Sequence, residues 1–171
     1  EDYPLLVNDT LSKELIPGNR FRPVYAGGEL IELRGDLSFY QDERLKLNLT
    51  ASYRDYRLDQ EERAWHRPIF QGSFHGWYDI QDKFTVRARI LYVGPRKARS
   101  LAPLEGAKRV NDSYILDLPS YVDANIGFEY RYTKDLSAFI RFNNLIDDRY
   151  QRWYGYPVQG FQVLGGLTYS L

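Results

Sequence analysis

Leu136-Ser137-Ala138-Phe139-Ile140-Arg141-Phe142-Asn143 reads with a period of two. Leu136, Ala138, Ile140 and Phe142 point one way, and Ser137, Phe139, Arg141 and Asn143 point the other. Residues 161–171 repeat the pattern. Phe161, Val163, Gly165, Leu167, Tyr169 and Leu171 share one face, opposite Gln162, Leu164, Gly166, Thr168 and Ser170. Side chains alternate across a strand, so both stretches are strands with one greasy face and one mostly polar face. Whether the greasy face meets a protein core or lipid decides the function.

The same alternation runs back up the chain. Ile31, Leu33, Gly35, Leu37 and Phe39 alternate with Glu32, Arg34, Asp36, Ser38 and Tyr40. Leu45, Leu47, Leu49, Ala51 and Tyr53 alternate with Lys46, Asn48, Thr50, Ser52 and Arg54. Phe70, Gly72, Phe74, Gly76, Tyr78 and Ile80 stand against Gln71, Ser73, His75, Trp77 and Asp79. Phe84, Val86, Ala88, Ile90 and Tyr92 stand against Thr85, Arg87, Arg89 and Leu91. Val122, Ala124, Ile126, Phe128 and Tyr130 stand against Tyr121, Asp123, Asn125, Glu129 and Arg131. No stretch has helical periodicity. Residues 24–171 therefore read as a seven-strand meander, and residues 1–23 as a partial strand, Tyr3-Pro4-Leu5-Leu6-Val7, followed by a loop.

Connections alternate between short and long. The short ones fall at 41–44, 81–83 and 133–135, the long ones at 58–67, 94–113 and 147–160. An antiparallel up-and-down meander gives this rhythm when the tight turns share one rim and the long loops the other. Outer-membrane barrels have that asymmetry, with short periplasmic turns and long external loops.

Composition leaves the choice between core and lipid open. The chain has 171 residues, and its 23 basic residues balance its 23 acidic ones, which gives no charge argument for nucleic acid. Mean hydropathy is negative, and no run of about 18 apolar residues offers a transmembrane helix. Transmembrane strands escape that test because they alternate. Fifteen Tyr, nine Phe and three Trp suit a barrel with aromatic girdles, and also a Tyr-rich soluble sandwich. The absence of Cys excludes disulfide and thiol chemistry. With no Met and no basic-then-apolar leader ahead of Glu1-Asp2-Tyr3, a mature chain or a fragment is expected.

Two features favour lipid. About 11 residues at ~3.3 Å each, tilted near 40°, span roughly 28 Å, enough for a hydrocarbon core. Soluble strands are typically ~5–6 residues. The outward set also ends in aromatic rings. Phe39, Tyr78, Phe84, Tyr130 and Tyr169 lie near the short-turn rim, and Tyr53 and Tyr92 near the long-loop rim. Such rings belong at bilayer interfaces. The expected fold is all-β, an antiparallel up-and-down transmembrane β-barrel, with the charged face turned to a lumen.

The residues 136–150, ending Asn143-Asn144-Leu145-Ile146-Asp147-Asp148-Arg149-Tyr150, resemble the next-to-last strand and loop of TonB-dependent outer-membrane receptors. The following Gln151-Arg152-Trp153-Tyr154-Gly155-Tyr156-Pro157 continues the resemblance, whose phrasing is most similar to receptors of the Bacteroidetes. The close, Gly166-Leu167-Thr168-Tyr169-Ser170-Leu171, resembles the C-terminal insertion signal of outer-membrane barrels, carried by Gly166, Tyr169 and Leu171. Leu171 stands where Phe is usual, and Leu164 where a polar residue is usual. Such receptors have about 22 strands around a plugged lumen. The resemblance thus implies the C-terminal segment, about eight strands, of a larger plugged barrel in the bacterial outer membrane. It implies active uptake of a scarce ligand with energy from the TonB complex, delivered to a plug domain that this sequence does not contain. Implied partners are outer-membrane lipid, the plug and remaining strands of the same receptor, and a small ligand of unread identity. A sheet or barrel sector is expected, with partner strands needed beside Leu5 and beside the last strand.

Candidate residues follow from the polar face. Arg87, Arg89, Asp123, Glu129, Arg131 and Arg141 are expected to face the lumen or the plug. The arginines could form a cationic stripe for an anionic substrate, or simply pair with Asp79, Asp123 and Glu129 in a solvated wall. Trp153, Tyr154 and Tyr156 in the external loop could stack on substrate, form a girdle or pack the loop. His66 and His75 are the only histidines, and neither has a ligand set at metal spacing. Adjacent Asp147 and Asp148 point apart, which suits a loop rather than acid–base chemistry. Asn8, Asn48 and Asn111 head sequon patterns without meaning in a bacterial barrel. No phosphate loop or nucleophile elbow is present, so neither an enzyme nor a cofactor is expected. Two other readings stay open: a small structural or adhesion barrel, and a soluble Tyr-rich β-protein.

Overall fold

The computed structural model describes residues 2–9, 20–100, 106–110 and 113–170. Eight strands form a continuous antiparallel wall. They are β1 (Asp2–Asp9), β2 (Arg20–Gln41), β3 (Leu45–Leu58), β4 (Phe70–Ile80), β5 (Phe84–Val93), β9 (Tyr121–Arg131), β10 (Leu136–Asn143) and β13 (Gln162–Tyr169). Each pairs with its predecessor in this series, as an up-and-down meander requires. Five shorter strands lie in the long connections: β6 (Arg96–Ser100), β7 (Lys108–Val110), β8 (Ser113–Leu118), β11 (Gln151–Trp153) and β12 (Tyr156–Pro157).

The turns follow local chemistry. Asp42, Gln81 and Asp82 adopt positive φ in the two tightest turns, a conformation that Asn and Asp tolerate best among residues with a Cβ. Asp79 Oδ1 accepts the Asp82 amide at 2.8 Å and fastens the second turn. Thr133 Oγ1 accepts the amides of Asp135 and Leu136 and fastens the third.

The alternation sorts the faces as the sequence implies. Cross-strand register puts Leu33 opposite Tyr53, Leu37 opposite Leu49, and Phe39 opposite Leu47 on one face. Asn48 stands opposite His75, and His75 opposite Arg89, on the other. Concavities along the wall are lined mainly by the polar set, so that face is the inner one. The apolar face is convex and bare: Leu33 is 73% exposed, Leu37 69% and Leu167 75%. Leu47, Ile90 and Ile126 do not enter a dry interior.

The buried apolar core lies elsewhere. Leu5, Val7, Ala26 and Trp65 form it, with Val24, Leu58, Ala64 and Ile115 packed around them. These residues come from β1, the start of β2, the end of β3 and the long connections, at the rim opposite the tight turns.

Residues 94–113 read in sequence as a loop, but they contain β6, β7 and the start of β8. The inward positions of β6 are Arg96, Ala98 and Ser100, all buried. Alternation is present there but is carried by a charged residue and two small ones, which hydrophobic periodicity does not register. β6 pairs with β8 and meets β1 in parallel at Asn8 and Ser100.

Two edges are open. β2 pairs β1 only through residues 20–27, and residues 28–41 pair only with β3. β13 pairs only with β10. The wall is therefore not sealed onto itself among the described residues.

Candidate functional site

The inner wall is a grid of polar side chains. One row runs from Lys46 through Trp77, Arg87 and Gly127 to Arg141. The next runs from Asn48 through His75 and Arg89 to Asn125. Together they line a concavity of about 700 Å³. Strand register alone brings these residues together from five strands.

Most charges on the grid are neutralised locally. Arg54 pairs with Glu32 at 2.9 Å, Arg34 with Asp36 at 3.0 Å, and Arg87 with Glu129 at 2.8 Å. Arg131 lies near the short-turn rim and donates to the Asp82 carbonyl. Asp123 lines the concavity and accepts from Asn125 at 3.0 Å. Lys46 lies 4.8 Å from the Trp77 ring centre, and Arg141 lies 4.9 Å from that of Phe139. All six charged residues picked from sequence thus occur on the inner face. Arg87 pairs with Glu129, whereas no ion pair among the described residues includes Arg89.

The long connections fold over the mouth of this wall. Residues 144–161 are stapled at both ends by side chains. Asn144, buried and with positive φ, donates through Nδ2 to the carbonyls of Asp148 and Gln159 at 2.9 and 3.0 Å. Its own amide donates to Asn125 Oδ1 at 3.1 Å. Asp147 Oδ1 accepts the Phe161 amide at 2.7 Å. A Cβ on Gly160 would come within 2.4 Å of that Oδ1, so the close approach requires glycine.

The tip of this loop reaches the opposite end of the wall. Trp153 packs against Phe21 and His66, with centroids 6.1 and 5.3 Å apart, and Tyr156 packs against Phe21 at 5.4 Å. Tyr154 is half-buried in the same loop. Of the readings open for Trp153 and Tyr156, loop packing describes their contacts. Tyr150 stacks on Tyr121 at 3.8 Å. Burial first, and then the neighbouring Asp123 carboxylate, push the Tyr150 hydroxyl up to about 12.

Sequence reasoning did not single out Arg96, and it weighed His66 only as a metal ligand. Arg96 is buried and has three carbonyl acceptors: Arg152 at 2.9 Å, Gln151 at 3.1 Å and Pro119 at 3.2 Å. Its guanidinium covers the Tyr121 ring, and burial pulls its basicity down. Arg96 thus ties one long connection to another. His66, only 4% exposed, offers Nδ1 to the Leu6 carbonyl at 3.0 Å. A carbonyl only accepts, so Nδ1 carries the proton, and the buried Nε2 has no partner. Burial, aided by Arg96, pushes His66 down to about 4. The signal for both residues was their place in a strongly charged connection, and nothing local distinguishes them from solvated residues there.

Gly166 and Tyr169 lie on the edge strand β13. The Phe139 ring covers Gly166, where a Cβ would come within 2.8 Å of it. Leu171 lies outside the described residues.

No protein-family model matches the chain, and no curated protein matches it in sequence. Solved structures match its fold. The pyoverdine outer-membrane receptor FpvA of Pseudomonas aeruginosa, bound to pyoverdine, aligns over 99% of this chain and 25% of its own, with TM-score 0.71 and 15% identity. The ferric-catecholate import receptor Fiu of Escherichia coli aligns over 96% and 23%, with TM-score 0.62 and 14% identity. A mutant of the ferric enterobactin receptor PfeA of P. aeruginosa, in complex with enterobactin, aligns over 86% and 22%, with TM-score 0.60 and 17% identity. These neighbours are TonB-dependent outer-membrane receptors of Gram-negative bacteria, transport receptors rather than enzymes, and the chain has the fold of their barrel wall. It spans between a fifth and a quarter of their length.

Proposed function

We propose that the chain is the C-terminal barrel segment of a TonB-dependent outer-membrane receptor that takes up a scarce ligand. The carrying observation is the arrangement of the wall: an eight-strand meander with a bare apolar convex face and a charged concave one. In water the exposed Leu33, Leu37, Ile31 and Phe39 would form one contiguous greasy surface, which soluble proteins avoid at this scale. In a bilayer the same surface is the seal.

In this reading Arg87, Arg89, Asp123, Glu129, Arg131 and Arg141 line a polar lumen, and the connections capped by Trp153 and Tyr156 face outward from the cell. Gly166, Tyr169 and Leu171 serve insertion into the membrane. The remaining strands of the receptor complete the sheet at residues 28–41 and along β13. A plug domain within the lumen receives the energy of the TonB complex. The two open edges favour this reading over a small self-contained barrel.

The test is fractionation of cells expressing the whole receptor. It is expected in the outer membrane, resistant to carbonate extraction, with heat-modifiable mobility on gels. Recovery as a soluble protein overturns the reading.

A further inference from the structure

The loop 144–161 is held at its middle by two buried side chains from other connections. Arg96, on β6, donates to the carbonyls of Gln151 and Arg152 in this loop, and to that of Pro119. His66, from the connection between β3 and β4, packs against Trp153 with ring centres 5.3 Å apart. Three consecutive loop residues, 151–153, are thus gripped from two sides. Arg96 and His66 are 5% and 4% exposed, so the grip owes nothing to the open edges of the wall.

His66 is fixed by its surroundings. Its amide donates to the Lys97 carbonyl at 2.8 Å, and Nδ1 donates to the Leu6 carbonyl at 3.0 Å. The Phe21 ring meets it edge to face at 5.7 Å. With Nδ1 committed, a second proton enters only at Nε2, which is buried and has no acceptor. The charged groups around the ring are cations. Arg96 faces it. Arg67 follows it in the chain and donates to the Pro4 carbonyl. Lys97 is paired with Asp117 at 2.6 Å. An imidazolium here would lack water and an acceptor, and would stand beside Arg96 as a second positive charge.

The loop is the part free to yield. Leu6 and Lys97 belong to β1 and β6, which are paired strands of one sheet. Trp153 belongs to a segment stapled at its ends, through Asn144 and Asp147. Moving Trp153 aside admits water to Nε2 without breaking either strand. We propose that Arg96 and His66 form a proton-released latch, which holds loop 144–161 across the mouth while His66 is neutral and lets it go when acid outside the cell charges the ring. The barrel reading above supplies only the direction, outside; the latch stands on the buried contacts.

The Arg152–Trp153 bond reports the latch directly, because Arg96 holds its carbonyl. The whole receptor, purified in detergent, is treated with trypsin at pH 7.5 and at pH 5. Cleavage after Arg152 is divided by that of a peptide of residues 147–160 at the same pH. His66 sits at about 4 when latched and returns toward ~6.5 when released, so the ratio should rise roughly thirtyfold on acidification. His66→Asn tolerates the left-handed backbone of this position and keeps a donor for Leu6 but takes up no proton, so its ratio should change less than about threefold. His66→Gln replaces it if the asparagine variant does not fold. Arg96→Ala should be cleaved fast at both pH values. Heat-modifiable mobility of each variant separates an opened loop from an unfolded wall. An unchanged ratio in the wild-type receptor overturns the proposal. So does an equal rise in the histidine variant, or slow cleavage of Arg96→Ala at pH 7.5. Recovery of the receptor in the soluble fraction instead overturns the barrel reading and leaves the latch in place.

Discussion

Phe21 and Trp153 meet with ring centres 6.1 Å apart, although β3, β4, β5 and β9 separate Phe21's strand from the strand that leads to Trp153. The contact spans the chord of a curved sheet. The connection between β10 and β13 therefore acts as a cap over the mouth of the concave wall rather than as a free external loop.

Removing the tip of the cap should loosen it without disturbing the wall. Trp153→Ala loses the ring contacts to Phe21 and His66, which is about 1–2 kcal/mol for aromatic packing at a half-buried site. Limited proteolysis within residues 144–161 should accelerate about tenfold, with heat-modifiable mobility unchanged. Equal cleavage rates would show that the ring contacts do not hold the loop down.

The base of the cap should be more sensitive than its tip. Asn144→Ala removes two donations from a buried side chain to the Asp148 and Gln159 carbonyls, at about 1–2 kcal/mol. Gly160→Ala drives a methyl group against Asp147 Oδ1 and displaces the Phe161 amide from it. Both variants should speed proteolysis of the loop at least as much as Trp153→Ala, and a smaller effect would place the anchor elsewhere.

Acidification should open the cap. His66 sits at about 4 in the folded protein, because burial disfavours the imidazolium and Arg96 opposes it. An undocked His66 returns toward ~6.5 and binds more protons between those two values. Cap stability is therefore full above about pH 6.5 and declines as pH falls toward 4, by up to about 3 kcal/mol. Hydrogen exchange of the amides of β1 and of His66 should rise from pH 7 to pH 5, after correction for intrinsic rates. His66→Phe should flatten the dependence, and a flat wild-type profile would remove His66 as its source.

The two faces should respond oppositely to charge. Leu49 is on the convex face and Ser73 on the concave one, on adjacent strands. Leu49→Arg should cost about 2–4 kcal/mol near the bilayer midplane, seen as a lower urea midpoint for the whole receptor refolded into vesicles. Ser73→Arg should cost less than about 1 kcal/mol, since lumen positions accept charge. Equal penalties would contradict the assignment of faces.

The motif Asn144-Leu145-Ile146-Asp147 was visible in the sequence, but its work was not. Read along the chain it is a turn after a strand. The side chains of Asn144 and Asp147 bind carbonyl and amide groups as far away as Gln159 and Phe161, and no local pattern reports a partner 14 or 15 residues distant. Arg96 and His66 were hidden for the same reason. Each sits in a charged connection that reads as solvated, and each is buried only because several connections converge on it.

The sequence by itself marked out seven of the eight wall strands, with β1 read only as a partial strand, the tight turns between them and the division into a greasy and a charged face. Those properties follow from a two-residue period and from turn chemistry, which act between near neighbours. Tertiary structure decided which face is concave, how the cap crosses to Phe21, and that Arg89 and Arg141 share one hollow. Those depend on sheet curvature and on register across several strands, which arise only when segments far apart in the chain are paired.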